Sequence, residues 1–460
     1  MPGSQGLRRF LYISPYFPPQ ARVGALRPLK FARHLPQSGW QPVVLADLRA
    51  GDIRDEALAK ALPGELPVLY DYAAATLQPA HCEPSAHELG TSRDAPQRSP
   101  VAGGGAGMFT WSGKLRRRLA DFDAYASRQP WYPGPEWLPL GHHSLDMRHA
   151  LDAARRALKQ FPECEAIMVN ADPFASLLVG ARLARDTGLP LISDLRDPWA
   201  LCELRRPQRP PPQRWLVDRL ERRVVTSSAK FILNSTGALS AYRAHYHDID
   251  PERFVCLRNH ADRDLIAGGA WSAPPTDRLR LLFLGNLRRF VQGEVVLQAL
   301  QRLVPAGPGH VPVELIVSGQ VTQEARRKAE QLGVADMLQA HPFVSQAEIG
   351  GFMHGAHALI LLHHSGKGVP AVQRIPAKLY DYLASDRPIV AAVDNPEVKT
   401  LLSTMPGATC VAPDDADALA KVFEQLRQAL PKAVIKRDLG SLSSEQASAQ
   451  LASWLDEVTR

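Results

Sequence analysis

The chain has little of what builds disulfide or zinc frameworks. Its five cysteines in 460 residues (Cys82, Cys164, Cys202, Cys256 and Cys410) are far apart, and no Cys-x-x-Cys pair occurs. That argues against a zinc ribbon or disulfide scaffold and fits a reducing compartment. No apolar run approaches the roughly 20 residues of a membrane span. The short run at residues 10–14 is not the core of a secretory leader, so none is expected. No Gly-x-Ser-x-Gly elbow appears, no Ser or Thr follows Lys367 to make a Walker loop, and the glycines at 103–107 do not follow a strand. His354, His357, His363 and His364 surround an apolar run rather than acids, so no metal is expected. Charge of one sign is also scarce: 54 basic against 47 acidic residues leave +7. That excess is too dilute to indicate nucleic acid and suits an anionic ligand or an anionic membrane surface. With 45% hydrophobic and 22% charged residues the chain can bury a sizeable core, which excludes a wholly disordered or collagen-like protein.

What is present is an alternation of short apolar runs with helical periods. Apolar runs occur at 10–14, 43–46, 166–170, 191–193, 231–233 and 255–257, with helical segments at 26–35, 145–160, 175–186 and 214–227. After a Gly- and Pro-containing stretch at 267–275 the pattern restarts, with runs at 279–285, 313–319, 358–362, 388–392 and 408–411. Continuous apolar strands between helices predict parallel sheets covered on both faces. The reading is α/β: two tandem doubly wound, Rossmann-like domains facing a cleft. The first covers 1–268, with an insertion at about 78–107 rich in Pro, Gly, Ser and Ala, and the second covers 277–438. Ser345 and Glu348 form a capping box. Residues 443–460 read as a capped amphipathic helix that needs a surface to pack on.

Beyond the insertion, Phe109 and Trp111 precede Lys114, Arg116, Arg117 and Arg118. Basic residues beside aromatics suit a headgroup-level surface; an ordinary solvated helix with core aromatics is the alternative.

Three loops could carry chemistry. Ligands of open parallel sheets lie beyond the carboxyl ends of strands. The loop after the first run, from Ser14 to Pro28, is long, Pro-rich and cationic, with Gly24 at a helix start and Arg27 just inside. A second loop reads Asp194-Leu195-Arg196-Asp197-Pro198-Trp199; an internal ion pair or a polar substrate contact would each account for its charges. The third holds Gly366, Lys367 and Gly368, then Gln373, Arg374, Pro376, Lys378 and Asp381. Glycines, cations and a helix start there suit a diphosphate, with Asp381 placed to accept two ribose hydroxyls.

These pieces together resemble family-4 retaining glycosyltransferases of the GT-B fold. The resemblance rests on the loop from Phe17 to Arg27, the Asp194–Trp199 loop and the segment Ile375-Pro376-Ala377-Lys378-Leu379-Tyr380-Asp381-Tyr382-Leu383-Ala384. It covers nearly the whole chain apart from the insertion. It implies transfer of a sugar, with retention, from a nucleotide-diphosphate sugar to a surface polysaccharide or lipid-linked glycan. The donor would be held mainly by the second domain and the acceptor by the first, with the final helix crossing back onto the first. Residues expected to act in catalysis are Arg288, Arg289 and Lys378. Gly24, Gly285, Gly366, Lys367, Gly368, Gln373, Arg374 and Asp381 are expected to bind donor, and Arg27, Arg196 and Asp197 to face acceptor. Where the family carries an Arg and a Lys near the donor phosphates this chain has Asn286 and Gln292, and where it carries two glutamates it has Gln373 and Asp381. A catalytically degenerate binding or scaffold protein, or a nucleotide-sugar epimerase, are the alternative readings. No cofactor beyond the nucleotide-sugar substrate, no nucleic acid, and a cytoplasmic location with peripheral contact to the inner membrane face complete the expectations.

Overall fold

The computed structural model describes residues 6–49, 52–73, 144–267, 273–287, 293–304, 311–342, 344–363, 372–430 and 434–460. The insertion at 78–107 and the Lys114–Arg118 cluster lie outside them.

Two parallel sheets make the fold. The first contains β1 (Arg8–Ile13), β2 (Trp40–Leu45), β3 (Val68–Leu69), β4 (Cys164–Asn170), β5 (Leu191–Leu195), β6 (Lys230–Leu233) and β7 (Phe254–Cys256). Their order is β3-β2-β1-β4-β5-β6-β7. The second contains β8 (Leu279–Leu284), β9 (Val313–Ser318), β10 (Leu338–His341), β11 (Ala358–His363), β12 (Ile389–Val393) and β13 (Ala408–Val411), ordered β10-β9-β8-β11-β12-β13. In each sheet the order reverses beside the first strand, which opens a crevice at the carboxyl ends of β1 and β4 and of β8 and β11.

The central strands are buried on both faces, which is why they read as unbroken apolar runs. Leu11, Ile13, Ile167 and Phe231 pack on one face of the first sheet, and Phe10, Tyr12, Met168 and Ile232 on the other. In the second sheet Leu281 and Ile360 face one core, Leu282 and Leu361 the other.

The last helix, Ser444–Val458, begins at Ser443, whose side chain accepts from the amide of Gln446. Its apolar stripe of Ala447, Leu451 and Leu455 lies against Phe10, Tyr12 and Trp40 of the first domain. Asp456 fastens it there, accepting from Arg8 at 2.7 Å and from the Trp40 indole at 3.0 Å. A backbone bridge from Ala261 to Ser443 brings the chain back across.

Candidate functional site

The cleft is built where the strands of both sheets end. In the second domain β8 runs into Gly285, whose φ of +123° lies where a side chain is disfavoured. A Cβ there would stand 3.0 Å from the Lys378 Nζ. Beside it β9 runs into Gly319, with φ +143°. A Cβ on Gly319 would come within 2.6 Å of the Gly285 carbonyl oxygen, so only glycine lets these two strand ends meet. Asn286 reinforces the pair, its side-chain oxygen accepting from the amide of Gln320 at 2.9 Å.

Lys378 comes from the helix Lys378–Ala384. Its ammonium lies 4.1 Å from the Phe283 ring centroid and has no carboxylate partner among the described residues. Burial alone pushes its pKa down to about 8. Lys378 is half-buried, and a partly desolvated cation with no carboxylate beside it among the described residues is poised for an anion from outside.

Around it stand groups of different character. His363 ends β11; burial, with Arg374 adding to it, lowers its pKa to about 4, so its imidazole is neutral near neutral pH. Its Nε2 is buried with no hydrogen-bond partner. The Nε of Arg374 is likewise buried without an acceptor. Asp381 stands 3.9 Å from Lys30 of the first domain, too far for a hydrogen bond. Burial raises the Asp381 pKa, and Lys30 pulls against that.

Gln373 lies in the seam between the domains. Its side-chain oxygen accepts from the Glu203 amide at 3.0 Å, and its carbonyl accepts from the Ser235 hydroxyl at 3.0 Å. Glu397 closes the same seam, accepting from Arg258 Nε at 2.6 Å and from the Thr236 amide at 2.9 Å.

On the first domain the sequence-derived acceptor residues separate. Arg27 is 3% exposed and makes a two-pronged ion pair with Asp194, at 2.8 and 2.9 Å, while also donating to the carbonyls of Leu257 and Arg258. It is an internal strut that cross-links β5 to the end of β7, and it does not face open cleft. The internal ion pair considered for the second loop is therefore real, but Asp194 pairs with Arg27 and not with Arg196. Arg196 instead donates to Asp172 at 3.0 Å. Gly24 lies under Arg196 and Tyr16, where a Cβ would fall 2.7 Å from the guanidinium. Asp197 is half-buried and has no hydrogen-bond or ion-pair partner among the described residues.

The structure therefore brings Gly285 and Lys378 together, places Gln373 and Asp381 at the domain seam, and leaves Arg196 with Asp197 on the opposite wall. Arg288, Arg289, Gly366, Lys367 and Gly368 lie outside the described residues. Sequence reasoning missed Gly319, His363 and Glu397. A glycine directly after a strand was the available signal for Gly319; His363 stood out only as one of four histidines around an apolar run, and Glu397 carried no signal. Among the described residues no group of three or more His, Cys, Asp or Glu side chains could hold a metal ion, and no helix is long and apolar enough to cross a membrane.

Comparison with known proteins bears on this half of the cleft. Residues 271–433 match the family of group 1 glycosyl transferases. That span contains Gly285, Gly319, His363 and Lys378. The chain is also similar to D-inositol 3-phosphate glycosyltransferase of Thermobifida fusca, 24% identical over 221 residues that make up 45% of this chain and 51% of that one. The chain thus spans about half the length of the curated relative it matches. Among solved structures, sucrose-phosphate synthase from Thermosynechococcus elongatus superposes with a TM-score of 0.57 at 13% identity, covering 98% of this chain and 96% of that one. Anabaena HepE, solved in complex with UDP-glucose, gives 0.52 at 13% identity, with 98% and 97% covered. These likenesses show the two-domain GT-B fold, and the group 1 glycosyl transferase match falls on the domain that carries Lys378.

Proposed function

We propose that the protein is a nucleotide-sugar-dependent glycosyltransferase, of family-4 type, acting with retention on a surface polysaccharide or lipid-linked glycan. The observation that carries the reading is Lys378: a half-buried ammonium without a carboxylate partner among the described residues, against the strand-end Gly285, inside the segment that matches the group 1 glycosyl transferases. The bond that breaks joins the sugar's anomeric carbon to a diphosphate oxygen. As it lengthens, negative charge gathers on the leaving phosphate and positive charge on the sugar ring. A preorganised cation in a dry cleft stabilises the first charge more than bulk water would. Lys378 supplies it, with Arg288, Arg289 and the 366–368 loop as further donors to the phosphates.

Asp381 accepts the ribose hydroxyls, its loose contact with Lys30 leaving both oxygens able to do so. Arg196 and Asp197 face the acceptor. The attacking hydroxyl approaches on the face the leaving group departs from, and its proton passes to the leaving phosphate; no side-chain nucleophile is required. The test is the anomeric configuration of the product by proton NMR. The donor's configuration in the product supports the reading, and the opposite configuration refutes retention.

A further inference from the structure

The helix Pro211–Ser227 leaves one face to solvent. Trp215 is 61% exposed and Leu216 37%, and Leu204 is exposed on the loop leading in. Arg219, Arg222 and Arg223 are exposed on the same helix. The Arg219 guanidinium lies over the Trp215 ring at 5.4 Å from its centroid. Arg219 and Arg223 have no acidic partner among the described residues, while Arg222 pairs with Asp248. The helix's own acids are withdrawn: Asp218 is held by Arg206, and Glu221 is fully buried. The outer face is therefore aromatic, apolar and cationic, with no free carboxylate on the helix.

Its position in the chain matters. The segment between β5 and this helix contains Arg196 and Asp197, and its Glu203 amide bonds Gln373 of the second domain. Leu204 and Trp215 thus belong to the cleft end of the first domain.

We infer that the helix Pro211–Ser227, with Leu204 on the loop that leads into it, docks this domain on an anionic lipid bilayer surface. Charge complementarity selects that occupant: unpaired guanidinium groups meet lipid phosphates, while Trp215 and Leu216 sit at headgroup depth, where an indole is favoured. This surface is separate from the Lys114–Arg118 cluster, and it does not depend on the transfer reading.

The experiment is co-sedimentation of the full chain with phosphatidylcholine vesicles with and without phosphatidylglycerol. Wild type is expected to bind the anionic vesicles and to be released by salt. Arg219→Ala with Arg223→Ala is expected to weaken binding about 25-fold, roughly fivefold for each basic residue lost at the surface. Trp215→Ala with Leu216→Ala is expected to weaken it as well. The Arg219/Arg223 variant should keep the wild-type thermal transition, since both side chains are exposed, and the Trp215/Leu216 variant is read at a temperature where its thermal melt shows it folded. Wild-type binding that ignores lipid charge, absent binding, or binding unchanged in both variants overturns the proposal. So does analytical ultracentrifugation showing a dimer that Trp215→Ala dissociates, since a second copy would then cover the face.

Discussion

Replacing Lys378 with methionine separates a binding role from a structural one. The ordinary lysine pKa is lowered to about 8 by burial. Keeping the ammonium charged there costs about 3 kcal/mol relative to water, at about 1.4 kcal/mol for each pKa unit. No carboxylate offsets that cost, and methionine fills a similar volume beside Phe283. Lys378→Met should therefore leave thermal stability unchanged or raise it. Donor binding should move the other way. A charge-assisted hydrogen bond to a phosphate contributes about 1.5–3 kcal/mol, so the Kd for UDP or GDP should rise by about 10- to 150-fold. The pH dependence has a definite sign. The free protein loses this cation as pH rises through about 8, so nucleotide affinity should fall above that pH in wild type and stay flat in Lys378→Met. Isothermal titration calorimetry across that range, with a thermal melt of each protein, reads both quantities. Unchanged affinity, or a loss of stability that accounts for the loss of binding, refutes the reasoning.

Three further outcomes follow from the geometry. Glu221 is fully buried, and burial raises its pKa to about 7 against the hydrogen bonds it accepts from Ala200, Tyr242 and Tyr246. Between the ordinary glutamate value and about 7 the unfolded chain binds fewer protons than the folded one, so stability should fall as pH rises, by about 3 kcal/mol in all; Glu221→Gln should remove that slope in denaturant titrations. Arg27→Ala strands a buried Asp194 and should cost about 3–5 kcal/mol in urea unfolding; a loss under 1 kcal/mol would mean that the strut is dispensable. Gly319→Ala should cost about 1–3 kcal/mol through its positive φ and its clash with Gly285, and should weaken nucleotide binding because Gly285 then moves against Lys378; normal binding with reduced stability would detach Gly319 from the site.

The strands most legible in the sequence were the central ones, whose two faces are both covered; the edge strand Ala408–Val411 was read as well, from its short apolar run, although it is largely exposed. Runs such as Leu279–Leu284 and Ala358–His363 need unbroken apolar residues, and they stand within a residue or so of the expected bounds. The two strands that were not legible are two of the four edge strands. Val68–Leu69 is two half-buried residues, and Leu338–His341 is mostly exposed, so neither needed an apolar signature. The loop motifs marked the right ends of the right strands, but not which charges face each other. Arg27 and Asp194 are 167 positions apart and join only because both lie at the cleft end of one sheet. Each loop read alone offered its charges to a ligand; folding neutralises one pair and leaves Lys378 and Asp197 unpaired. His363 looked like one of a histidine group, and its burial beside Arg374 is a tertiary fact with no local trace.

The central claim is sugar transfer at the Lys378 cleft. The direct measurement is incubation of the purified protein with a panel of nucleotide-diphosphate sugars, with and without glycan and lipid-linked acceptors, following nucleoside diphosphate release and acceptor labelling together. Acceptor labelling from one class of donor is expected, stoichiometric with diphosphate release and strongly reduced in Lys378→Met. Nucleotide release that never labels an acceptor, or equal labelling by wild type and Lys378→Met, would contradict it.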